Sequence, residues 1–91
     1  MDNYISFKYT FEDAAESIKH LEKKPSDDEM LKLYGLYKQA TIGNCNTDRP
    51  SFWSPVNRSK WDSWNSYRNW TTDKAKEDYI KLVEFLTLKY K

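Results

Sequence analysis

The sequence predicts an all-α single domain. Four stretches carry apolar residues at helical spacing, three connections separate them, and no stretch alternates apolar and polar residues over the length of a strand. Ninety-one residues make one small domain spanning 1–91, too small to enclose a large cavity without giving up much of its core. A groove between elements is the less costly way to hold a ligand. No internal repeat is present.

Residues 1–9 carry scattered aromatics without a sustained period and read as a loose lead-in. Thr10 is placed to cap the first helix, with Asp13 three positions on in a capping-box arrangement. Phe11, Ala14, Ala15, Ile18 and Leu21 supply its apolar stripe, and the small Ala14-Ala15 pair permits close approach. Lys19 borders that stripe. Lys23-Lys24 are expected near the helix end, where positive charge suits the dipole, and Pro25 stops the segment.

Ser26 with Glu29 is a second capping-box pattern, and Asp27 and Asp28 add negative charge to the first turn. That account leaves no reason to read the acidic run as a metal site. The helix runs to Gly43, which tolerates the positive φ of a helix stop. At 100° per residue, Met30, Tyr34, Tyr37 and Thr41 centre one face, flanked by Leu33 and Ala40 on one shoulder and Leu31 and Lys38 on the other. Two readings stay open. The tyrosines and Lys38 form a surface for something both aromatic and anionic, or the tyrosines are core residues and Lys38 rims them. The apolar arc is wide enough for one side to face the core while the other walls a groove.

The connection from Asn44 to about Val56 is the longest, and such length often has a use. Phe52 and Trp53 are expected to pin it by packing beneath or beside it, and Arg49 either holds it through a carboxylate or touches a ligand. The third helix starts near Asn57 or at Ser54-Pro55 and covers Arg58 to Arg68, with Lys60, Trp64 and Tyr67 along one side and Trp61 and Arg68 adjacent. Thr71 or Thr72 caps the last helix. Its stripe is Ala75, Tyr79, Leu82, Val83, Leu86 and Tyr90, with Phe85 alongside.

Composition narrows the function. Fifteen Lys and Arg against 14 Asp and Glu leave a formal charge of +1, so no global field draws the chain to nucleic acid or membrane. Cys45 is the sole cysteine, which excludes an internal disulfide and a multi-thiolate metal site. The opening MDNYISFKYTF resembles no secretory leader and no run reaches membrane-spanning length, so the expected compartment is the cytoplasm. Gly35 and Gly43 stand alone, ruling out a Gly-rich phosphate loop. His20 has no nucleophile patterned beside it, and an enzyme is not expected. A binding module fits: Lys19 or Lys24, Lys38 and Lys60 can meet at one rim, where ammonium groups hold phosphate oxygens. A tyrosine or tryptophan can stack on a base, and the Phe11, Ala15 and Leu31 side can accept hydrocarbon. The competing readings are a single-strand nucleic-acid binder, which the intermingled acids disfavour, and a protein-interaction domain anchored by aromatics.

The run Tyr34-Gly35-Leu36-Tyr37-Lys38-Gln39-Ala40-Thr41-Ile42-Gly43 closely resembles the acyl-CoA-binding protein family, whose pattern sets two aromatics around a small residue before Lys-Gln-Ala-Thr and a glycine. The likeness extends through Lys19-His20-Leu21, Lys24-Pro25-Ser26-Asp27-Asp28-Glu29-Met30-Leu31, Asn46-Thr47-Asp48-Arg49-Pro50, Lys60-Trp61-Asp62-Ser63-Trp64-Asn65, Ala75 and Tyr79-Ile80. This resemblance implies a four-helix up-down-down-up bundle and a reversible, non-catalytic carrier of medium- to long-chain fatty acyl-CoA, the ester being a transported ligand and not a cofactor. It implies that Tyr34 faces the ligand and that Tyr37, Lys38 and Lys60 help bind the nucleotide and its 3′-phosphate. Tyr79 lines the site, Lys19 and Lys24 approach CoA phosphates, and Phe11 and Ala15 lie near the acyl chain. A monomer without stable membrane insertion follows, with acyl-CoA-using enzymes as transient partners. Three features depart from the family: Phe52-Trp53-Ser54-Pro55-Val56-Asn57-Arg58-Ser59 replaces an aromatic and a Lys-Gly element, Trp70 replaces a small turn residue, and the lead-in is longer. Trp53 and Pro55 are therefore expected to reshape the groove rim, and Tyr4, Phe7 or Tyr9 to cover part of the acyl path.

Overall fold

The computed structural model describes residues 9–90. Four helices form it: α1 (Phe11–Ser17), α2 (Asp27–Thr41), α3 (Pro55–Asn65) and α4 (Thr72–Lys89), with a 3₁₀ turn at Ile18–His20 after α1 and no strand among the described residues. Local chemistry starts three of them. The Thr10 hydroxyl accepts from the Asp13 amide, Thr71 accepts from the Lys74 amide, and Ser26 and Glu29 make both halves of a capping box, satisfying amides that a helix start leaves without partners. α3 begins differently, with Pro55 in its first turn and no side-chain cap from Ser54. Its missing amide hydrogen costs nothing there. Gly43, at φ +98°, lies just beyond α2.

α2 lies between α3 and α4, and α1 packs on α4. Two bonds fix the sense of α2 against α4: Glu29 at the start of α2 meets Lys89 at the end of α4, and Gln39 near the end of α2 meets the Trp70 carbonyl before α4. These helices are antiparallel. α2 and α3 run the same way, since Lys60 lies over Tyr34 while Trp64, one turn on, lies under Lys38. The bundle is up-down-down-up, and the parallel pair requires the long crossover between them. Phe11 and Ala14 of α1, Leu33, Leu36 and Ala40 of α2, and Ala75, Tyr79, Ile80, Val83 and Leu86 of α4 make the core.

Four sequence expectations are corrected. α1 is shorter than its apolar stripe: the backbone tightens at Ile18 and is extended at Leu21, so Lys23 and Lys24 lie in the connection and leave the dipole alone. α3 ends at Asn65, and Tyr67 and Arg68 belong to the turn that follows. Phe85 is 58% exposed. Phe52 and Trp53 do not pin the crossover at all. They are 64% and 81% exposed and touch each other with their rings tilted and centres 4.7 Å apart. The crossover is held by other groups: Arg49 makes a two-pronged contact with Asp62, Trp61 and Trp64 donate through Nε1 to the Thr47 and Gly43 carbonyls, and Arg68 donates to the Cys45 carbonyl. Tyr4 and Phe7 lie outside the described residues. Tyr9 packs against the core, with its hydroxyl 3.4 Å from the Ser17 oxygen.

Candidate functional site

α2 and α3 approach closely because Gly35 has no side chain. A Cβ there would stand 2.7 Å from the Ser63 carbonyl oxygen, well inside contact distance, and the Ser63 hydroxyl donates to the Leu31 carbonyl. From this near contact the two helices border a groove of about 590 Å³, lined by Lys24, Asp27, Met30, Leu31 and Tyr34 on one side and Pro55, Val56, Ser59 and Lys60 on the other. This volume falls within the range of about 300–1,000 Å³ common for small-molecule sites.

The lining changes character along its length. Met30, Leu31, Pro55 and Val56 give the end near the helix starts an apolar wall. One to two turns further on, the Lys60 ammonium lies 5.4 Å from the centre of the Tyr34 ring. A turn beyond, the Lys38 ammonium lies 4.6 Å from the centre of the Trp64 ring, and Trp64 is itself buried and anchored to Gly43. Both ammonium groups are held near aromatic rings, an electrostatic attraction of cation to ring.

A second cluster adjoins the same face of α2. Phe11, Tyr37 and Tyr79 meet pairwise with ring centres 5.1–5.8 Å apart, and the Lys76 ammonium lies over Phe11. Burial, followed by the charge of a neighbouring Tyr37, pushes the Tyr79 hydroxyl up to about 12, so it stays a neutral hydrogen-bonding group at any physiological pH. Of the ten residues the sequence marked, Lys24, Leu31, Tyr34 and Lys60 line the groove, Lys38 continues its polar end, and Phe11, Tyr37 and Tyr79 build the second cluster. Ala15 packs half-buried against the core. Lys19 is turned to Glu16 at 3.5 Å, and Glu16 also contacts His20. Lys19 does not line the groove.

Val56, Ser59, Pro55, Met30 and Asp27 line the groove without having been marked as site residues. For Val56 a signal was available: it precedes Lys60 by four positions and so shares its helix face, and Ser59, three positions on from Val56, borders that face. Trp53 is not among the lining residues, while Pro55 is, so only part of the altered segment reaches the rim. Among the described residues no three His, Cys, Asp or Glu side chains are gathered to hold a metal, and no helix is long and apolar enough to cross a membrane.

An open helical groove that runs from an apolar wall to aromatic-backed cations suits a small amphiphile. Residues 8–83 match the family model described as acyl CoA binding protein. The chain belongs to the acyl-CoA-binding protein family, a family of non-catalytic binders. It is 45% identical over 82 residues to the acyl-CoA-binding protein of Brassica napus, covering 90% of this chain and 89% of that one. With the acyl-CoA-binding protein of Dictyostelium discoideum it is 44% identical over 81 residues, 89% of this chain and 96% of the other. The crystal structure of Oryza sativa acyl-CoA-binding protein 2 superposes with a TM-score of 0.85 at 40% identity, over 88% of this chain and 87% of that one.

Proposed function

We propose that the protein reversibly carries medium- to long-chain fatty acyl-CoA esters, with the CoA head at the Tyr34, Lys38 and Lys60 end and hydrocarbon along Met30, Leu31 and Val56. The observation that carries this reading is the placement of the Lys60 ammonium over the Tyr34 ring at one end of a groove whose other end is apolar. A nucleotide base stacks on exposed aromatic faces, and its phosphates accept from ammonium donors already oriented by the rings behind them. Tyr37, beside Tyr34 on the same helix face, extends the polar surface toward Phe11 and Tyr79. Lys24 offers a further phosphate contact from the groove edge. Ala15 supports the neighbouring wall, and Lys19 reaches the ligand by leaving Glu16, an exposed pairing that is readily exchanged. Hydrocarbon adds about 0.8 kcal/mol per CH₂ removed from water, so chain length sets affinity until the groove is filled. The carrier acts as a monomer that hands its ligand to acyl-CoA-using enzymes.

Calorimetric titration with palmitoyl-CoA below its micelle-forming concentration tests the reading, with free CoA and a short single-stranded oligonucleotide as controls. Near-stoichiometric binding of the ester, weaker binding of CoA and none of the oligonucleotide is the expected result. Equal affinity for CoA and its ester means the hydrocarbon stays in water, and no binding of the ester by folded protein removes the carrier function.

A further inference from the structure

Among the described residues five lysines rest on aromatic rings: Lys38 on Trp64, Lys60 on Tyr34, Lys74 on Trp70, Lys76 on Phe11 and Lys89 on Tyr90. Carboxylates divide them into two groups. Lys74 is paired with Asp78 and Lys89 with Glu29, so both are committed to contacts within the fold. Lys38, Lys60 and Lys76 have an aromatic partner and, among the described residues, no ion pair. The first two belong to the polar end of the groove. Lys76 is the third of the kind, and it comes from α4, a helix that contributes nothing to the groove lining.

We propose that Lys76 is a third cation of the binding face, donating from α4 to a phosphate of the CoA head; the inference rests on the carrier reading for its ligand. Lys76 is half-buried, and its ammonium lies 5.6 Å from the centre of the Phe11 ring. Phe11 in turn stacks on Tyr37 with centres 5.6 Å apart. Tyr37, 41% exposed, is the member of that cluster that faces solvent, while Phe11 and Tyr79 are buried. It stands three residues after Tyr34, which Lys60 covers. One aromatic surface is thus bordered by Lys60 at one end and Lys76 at the other. A CoA head carries phosphate at two places, the diphosphate and the ribose 3′-position, and a cation at each end of a stacking surface matches that division. The neighbouring acids do not take Lys76 up. Asp73 precedes it by three positions on α4 and Glu12 follows Phe11 on α1, and neither pairs with it; Glu77 and Asp78 are given to Lys81 and Lys74. An ammonium partly withdrawn from water without a counter-charge gains more from an incoming phosphate than one already paired.

Calorimetric titration of the full chain with palmitoyl-CoA, below its micelle-forming concentration, and with free CoA tests this in the parent and in Lys76→Met, Lys76→Arg and Lys74→Met. Methionine keeps an apolar stem over Phe11 and removes the charge. Lys76→Met is expected to keep the helical spectrum and to lose roughly tenfold or more in affinity for both ligands alike. Lys76→Arg should recover most of that loss, because it restores a cationic phosphate donor. Lys74→Met removes the same charge two positions away, from a lysine that is already paired, and should stay within about twofold of the parent. Parent affinity in Lys76→Met, a loss confined to the ester, an arginine variant as weak as the methionine one, or an equal loss in Lys74→Met overturns the role of Lys76, and the carrier reading stands because the parent still binds the ester. A folded parent that binds no ester overturns both.

Discussion

Lys89 and Glu29, sixty residues apart in sequence, meet at 2.6 Å and tie the last turn of α4 to the first turn of α2. The same carboxylate accepts from the Tyr90 hydroxyl at 2.6 Å and the Ser26 amide at 2.8 Å. One side chain thus caps a helix and joins two helices.

The Lys89 contact, then Tyr90 and Ser26, hold the Glu29 carboxyl down from 4.5 to about 2. Its folded value lies below its unfolded one, so its contribution to stability is complete above about 4.5 and is lost as the pH falls through about 2. Glu29→Gln should therefore lower Tm by a constant amount at neutral and mildly acidic pH, and the gap to the parent should close between these two values. Thermal unfolding followed by circular dichroism across that range checks it; a gap that is independent of pH means the carboxylate charge adds nothing.

Gly35→Ala should destabilise the fold by about 1–3 kcal/mol through overpacking against the Ser63 backbone, even though alanine is the better helix former by about 1 kcal/mol. By displacing α3 it should also weaken palmitoyl-CoA binding. Urea unfolding and calorimetry measure both. A variant at least as stable as the parent would show that α3 yields without cost.

Lys38→Ala and Lys60→Ala should each keep the helical spectrum and lose about 1.5–3 kcal/mol of ester affinity, the usual value of a hydrogen bond to a charged group. The loss should be present with free CoA as well, since it concerns the head and not the chain. Unchanged calorimetric affinity in a folded variant removes that lysine from the site.

Gln39→Leu should cost about 1–3 kcal/mol. Gln39 is almost fully buried and its Nε2 donates to Asn44 Oδ1 at 3.0 Å and to the Trp70 carbonyl at 2.9 Å, and leucine leaves that carbonyl without its donor. Chemical denaturation of parent and variant gives the difference directly.

What could be read from the sequence was mostly what is local. The caps at Thr10, Ser26 and Thr71 act over three residues, so residue type and spacing suffice to find them. The Lys60–Tyr34 and Lys38–Trp64 pairs were not legible, because they join two helices whose relative placement no spacing within one helix records. Gln39 was not legible as a core residue because its partners lie five and thirty-one positions away. Nor was the exposure of Phe52 and Trp53, since whether an aromatic in a connection is buried depends on what the connection passes over, and hydrophobicity carries no record of that. Lys19 was expected at the edge of the α1 stripe, but α1 ends at Ser17 and Lys19 stands in the 3₁₀ turn, 3.5 Å from Glu16.

The parallel run of α2 and α3 gives the groove a polarity that belongs to the topology and to no single residue. Both helices begin at the apolar end, where Asp27 also stands, and both advance toward the lysines, so the two ends are chemically unequal. At the helix starts Lys24 and Asp27 set opposite charges side by side in the lining, while the far end carries Lys60 and Lys38 on aromatic rings. On the proposed carrier reading, these unequal ends favour one orientation of the cargo over the other.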